Sequence, residues 1–120
     1  MLIGALAVFT LVAAMGLMMV LEKLQGRALD STYPMVHGGA SLLGSGLVIA
    51  AALEGDLRLY VNIVLAVVII LLGVYMGVCA RRGKPVPKAI LASHIGLAVV
   101  CYGILALFAV GPRVDLLAMW

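Results

Sequence analysis

Residues 59–80 read LYVNIVLAVVIILLGVYMGVCA and carry no charge. An α-helix crosses about 30 Å of hydrocarbon in about 20 residues, so this run alone is long enough to span a bilayer. Polar and apolar residues do not alternate along it, which excludes a barrel strand. A helix also satisfies its own backbone N–H and C=O groups where no water can. Working outward, three more uncharged runs appear, over residues 1–21, 31–53 and 89–112. The breaks between them read EKLQGRALD, EGDLR and ARRGKPVPK. Such short breaks enforce antiparallel neighbours. The sequence therefore predicts an all-α integral membrane protein, an up-down-up-down four-helix bundle forming one domain over residues 1–120.

Composition supports this class. The chain is 66% hydrophobic and 11% charged, with a mean hydropathy of +1.28. A soluble domain of 120 residues has too little interior to hide that much apolar surface. The net charge of +3 reports topology and not a nucleic-acid partner. Lys23, Arg27, Arg81, Arg82, Lys84 and Lys88 flank the first and third breaks, against only Arg58 and Arg113 on the other side. That bias places the first and third loops in the cytoplasm and both termini outside, with Trp120 as an interfacial anchor. The start, MLIGALAVFT, lacks the basic n-region of a signal peptide and reads as a retained helix. Asp30 or Ser31 is placed to cap the second helix, and Pro87 sits near the start of the fourth, where a missing N–H costs little.

The second and fourth helices enter from the same side, so they run parallel. One contains HGGASLLGSG from His37, the other HIGLAVVCYG from His94, and both fit H-x-G-x6-G. A gap-free shift of 57 residues superposes His37 on His94, Gly16 on Gly73, Gly26 on Gly83, Gly39 on Gly96 and Gly46 on Gly103. It also sets Arg27 on Lys84. This pattern predicts a tandem duplication of a two-helix unit, residues 1–57 and 58–114, with halves related by a pseudo-two-fold axis along the membrane normal.

His37 and His94 are the only histidines, and both lie about two helical turns, about 10 Å, inside the membrane from the same side. Ionisable residues inside a bilayer are functional candidates. Two readings stand: a shared ligand site, or neutral rings that hydrogen-bond between helices, with Ser41, Ser93 or Thr10 as partners. Two imidazoles with no third ligand at that depth make a poor zinc site. Haem iron needs only two axial ligands, and its apolar edge suits a membrane interior. Its propionates would face Arg81, Arg82, Lys84, Lys88 and Arg27, although topology by itself explains most of that basic cluster. Ser41, Gly44, Ala98 and Cys101 lie on the histidine faces of their helices. Cys79 and Cys101 read as reduced packing residues.

The histidine arrangement resembles b-type membrane cytochromes, in which paired histidines on diagonal helices of a four-helix bundle clamp haem b. The quinol-oxidising cytochromes b carry two histidines on each such helix. This chain has one on each, so the resemblance implies a single haem near the basic side. From Arg82 to Cys101 the sequence is also similar to small bacterial four-helix membrane proteins without assigned function, in which an R-G-K-P-x-P-K-type loop precedes a His-Gly helix. That likeness implies a bacterial inner membrane and no particular activity. The resemblance to cytochromes implies an electron carrier or accessory subunit working with quinone or a partner redox subunit, and not a stand-alone enzyme. A cofactor-free membrane subunit or scaffold is the alternative, and a quinone-associated subunit with His as hydrogen-bond donor is a third.

The repeated glycines do not lie beneath the histidines. At about 100° per residue, Gly39 stands about 160° and Gly46 about 180° around the helix from His37. Gly39, Gly46, Gly96 and Gly103 form seams on the opposite faces, and Gly16 and Gly73 join them as helix-contact glycines. With the histidines facing inward, the seams face outward toward another subunit. With the seams inward, the histidines face out. Either arrangement favours a homo-oligomer or a larger membrane complex. Tyr60 and Asn62 fall near the outer interface, Tyr33 and Tyr75 near the inner one. The methionines of MGLMM read as lipid-facing or gap-filling residues. No span holds Asp, Glu, Lys or Arg, which argues against an ion pump, and no nucleophile–base set or phosphate-binding loop is present.

Overall fold

The computed structural model describes residues 1–111. Four helices account for most of them: α1 (Leu2–Leu24), α2 (Thr32–Leu53), α3 (Tyr60–Arg81) and α4 (Lys88–Val110). A 3₁₀ turn at Leu57–Leu59 leads into α3, and no strand occurs among the described residues. Each helix is long and apolar enough to cross a membrane, as in a multi-pass membrane protein. Large apolar side chains such as Leu42, Val64, Leu71 and Val99 stand exposed, a surface suited to lipid and not to water. α1 runs past the uncharged stretch through Glu22 and Lys23, because charge does not break a helix once it has left the hydrocarbon. α4 stops at Val110. Residue 112 of the fourth run, the end of the second repeat, Arg113 and Trp120 lie outside the described residues.

Helix ends follow local chemistry. Gly26 (φ 70) and Gly83 (φ 66) terminate α1 and α3 in the left-handed region that side chains disfavour. At each, two backbone bonds close the last turn: Gly26 N–H to Lys23 O and Arg27 N–H to Glu22 O, then Gly83 N–H to Ala80 O and Lys84 N–H to Cys79 O. This is the glycine-ended motif that satisfies a helix's last carbonyls. At the start of α2, Asp30 Oδ1 accepts the Thr32 N–H at 2.9 Å, whereas the Ser31 hydroxyl makes no capping bond. That bond and the Thr32 side chain hold the Asp30 carboxyl below its ordinary range. Pro87 occupies the corresponding position before α4.

Each helix packs against the next in sequence and α4 returns to α1, with the most extensive contact between α1 and α2. The core lies where α1 and α3 begin and α2 and α4 finish. It comprises Ala5, Val48, Ala51, Ala52, Leu59 and Leu105. Small residues bring α1 and α2 close, and the Phe9 ring comes within 3.0 Å of where a Cβ on Gly44 would stand. At the same end Arg58 pairs with Asp56 through two bonds of 2.9 Å and stacks over the Phe108 ring at 4.8 Å. The shift of 57 residues carries the last residue of α1 onto that of α3, and the last of α2 onto that of α4. It also carries the four capping bonds of α1 and α3 onto one another, donor for donor.

Candidate functional site

His37 lies in the second turn of α2 and His94 in the second turn of α4, at the end away from the apolar core. Both are half-buried, each against the preceding helix. The Cε1 of His37 is 3.2 Å from where a Cβ on Gly16 would stand, and the Cε1 of His94 is 3.2 Å from the same point on Gly73. The equivalent glycines of α1 and α3 therefore serve as floors for the equivalent imidazoles.

Each glycine also uncovers a carbonyl. In a helix the side chain at one position leans toward the N-terminus, over the carbonyl four residues earlier. Gly73 has none, and the Ile69 carbonyl lies 2.9 Å from His94 Nδ1. A carbonyl can only accept, so Nδ1 carries the proton and Nε2 keeps its lone pair. In the first half Gly16 leaves the Val12 carbonyl facing His37. There Nδ1 is buried but closes no hydrogen bond of good geometry. The two rings are near enough for charge on one to be felt at the other.

The expected hydroxyl partners are otherwise engaged. Ser41 donates to Gly38 O, Ser93 to Ala89 O and Thr10 to Leu6 O, each within its own helix. A short hydroxyl in a membrane helix reaches its own backbone more readily than a neighbouring helix. The partner of His94 is instead a backbone carbonyl, which no residue type advertises. The one available signal was that Gly16 and Gly73 coincide under the same shift as the histidines.

The remaining candidates are distributed as follows. The space that Gly44 leaves on α2 is taken by Phe9. Cys101, its counterpart on α4, is held by Asn62, whose Nδ2 donates to Cys101 O at 2.9 Å. Asn62 is 2% exposed, so its amide is an interhelical clasp and not an interfacial group. Ala98 is half-buried, and both cysteines are free thiols. Gly39, Gly46, Gly96 and Gly103 are exposed, with nothing within 4 Å of a Cβ added at any of them. Arg27, Arg81, Arg82, Lys84 and Lys88 are exposed at the histidine end. Arg27 pairs with Glu22 at 3.3 Å, and among the described residues the other four form no ion pair. No group of three or more metal-ligating side chains gathers among the described residues.

The chain matches no family model, no curated protein and no solved structure.

Proposed function

We propose that this protein is a membrane b-type cytochrome-like electron carrier in which His37 and His94 ligate one haem b through Nε2. The observation that carries the reading is the bond between His94 Nδ1 and the Ile69 carbonyl. Metal-ligating histidines donate their other ring N–H to an acceptor of this kind, which fixes the tautomer and strengthens the ligand. His94 is thus arranged to present a lone pair, and His37 stands over the matching glycine and carbonyl. When bound, haem supplies one-electron chemistry. The protein's own residues hold the rings, exclude water with the surrounding apolar side chains, and offer Arg27, Arg81, Arg82, Lys84 and Lys88 to the propionates.

The architecture we propose for this is an up-down-up-down four-helix bundle built by tandem duplication, with the first and third loops cytoplasmic. Its support is the ring of contacts from α1 through α4 back to α1, together with the matching helix ends, capping bonds and imidazole floors under one shift. A single haem near one face needs a redox partner, either quinone or another membrane subunit. A second reading is a cofactor-free subunit that binds partner helices. The open glycines Gly39, Gly46, Gly96 and Gly103 favour it, since they allow close helix approach and meet nothing in this chain.

An absorption spectrum of the purified protein, before and after dithionite, separates the two. The haem reading expects the sharp α-band of low-spin haem b, lost in His37→Ala and in His94→Ala. A colourless protein from cells well supplied with haem overturns it and leaves the scaffold.

A further inference from the structure

We infer that Gly16 and Gly73 are positioning residues for the two imidazoles, each setting which ring nitrogen holds the proton by leaving open the carbonyl four residues before it. Three observations meet here. The first is the identical 3.2 Å approach of Cε1 to the missing Cβ in both halves. The second is the 2.9 Å contact of His94 Nδ1 with Ile69 O, the carbonyl that a side chain at Gly73 would cover. The third is that the other glycines on the same helices, Gly4 on α1 and Gly77 on α3, meet nothing within 4 Å. Close approach is therefore specific to the two positions that face a histidine.

The physical argument is short. The Ile69 carbonyl already accepts the Gly73 N–H within α3, and an oxygen with two lone pairs can accept a second bond. That second donor must arrive from the side, through the volume a Cβ would occupy. A methyl group at 3.2 Å from Cε1 forces the ring to retreat by a few tenths of an ångström. The ring's edge then lifts from the carbonyl, the bond lengthens, and the two neutral tautomers become comparable in population. Gly73 acts more strongly than Gly16, because His94 closes its bond and His37 does not. The use made of the freed Nε2 rests on the haem reading; the tautomer itself does not.

The test labels the histidines with ¹⁵N and reads the ring nitrogens by NMR in detergent micelles, at a pH where both rings are neutral, on protein without haem. Wild type is expected to show His94 as the Nδ1–H form. Gly73→Ala should shift His94 toward a mixture of tautomers, while the control Gly77→Ala leaves it unchanged. Gly16→Ala should move His37 by less, against Gly4→Ala. Haem-loaded protein provides a second readout. A weaker Nδ1–H bond makes a poorer donor ligand, so Gly73→Ala should raise the reduction potential and lower haem affinity about ten-fold. An Nε2–H form of His94 in the wild type overturns the inference even if no variant folds, as does an unaltered Nδ1–H signal in Gly73→Ala. A protein that never takes up haem defeats the proposed function and leaves the NMR result to decide this one.

Discussion

The two helix pairs use the same positions to opposite effect. In α1 and α2 the buried contact is made by shape: Ala5 is fully buried, Gly44 is a notch and Phe9 fills it. The shift of 57 residues turns these three into Asn62, Cys101 and Ala66. There the notch is gone, and Asn62 holds α4 by donating to Cys101 O. The imidazoles follow the same division, with a closed bond at His94 and an unclosed one at His37. Membrane helices gain little from hydrophobic association, because lipid tails are as apolar as leucine. What remains is close packing or interhelical hydrogen bonding, and each half has specialised in one of them.

The largest expected effect breaks the half held by shape. Gly44→Leu places a branched side chain where the Phe9 ring lies 3.0 Å away. Overpacking of this kind costs about 1–3 kcal/mol, so the variant should melt at a clearly lower temperature in detergent. An unchanged Tm would mean that shape does not hold α1 to α2.

Asn62→Ala gives the second half the residue that the first half carries at that position. The bond to Cys101 O is lost, at about 0.6 kcal/mol for an average interhelical bond in a membrane. Part of that is offset, because Asn62 Oδ1 is buried without a partner and its burial cost disappears with it. The fall in Tm should therefore be smaller than for Gly44→Leu, and a larger one would erase the contrast between the halves.

The smallest effect sharpens the comparison at the helix starts. The shift sets Asp30 on Pro87, so α2 begins under a carboxylate and α4 under a ring that cannot titrate. The Asp30 carboxyl is held below its ordinary value of 3.8, chiefly by the Thr32 N–H. A lowered folded pKa stabilises above the unfolded value, and that contribution is lost as pH falls through the folded one. Amide exchange at Thr32 should accelerate on acidification through that range, while exchange at Ala89 follows only the intrinsic pH trend. Equal behaviour at both would show that Asp30 does not cap α2.

Some of this was legible before any coordinates. The four uncharged runs set the helices to within a few residues, because charge is excluded from hydrocarbon far more strictly than any residue is from a helix. Gly26 and Gly83 announced two helix ends, since each follows a basic or polar turn and only glycine takes the left-handed conformation cheaply. The partners of polar side chains were not legible. Asn62 stands three residues into α3, and from its depth alone an interfacial place was expected. Its burial depends on which way α3 is turned about its axis, and only the packing of Leu59, Leu105 and Cys101 sets that turn. Ser41 and Ser93 were candidates by proximity in sequence, yet their own carbonyls were nearer.

The sequence by itself determined how many helices cross the membrane, where each begins and ends, and that two histidines stand at matching depth. Those properties follow from charge and length along one dimension. The tertiary structure decided that Gly16 and Gly73 lie beneath the rings while Gly39, Gly46, Gly96 and Gly103 face away, and that a carbonyl selects the protonated nitrogen of His94. Rotation and approach of helices are settled by contacts between residues far apart in the chain, and backbone carbonyls, identical at every position, become distinct only when a neighbour lacks the side chain to cover them.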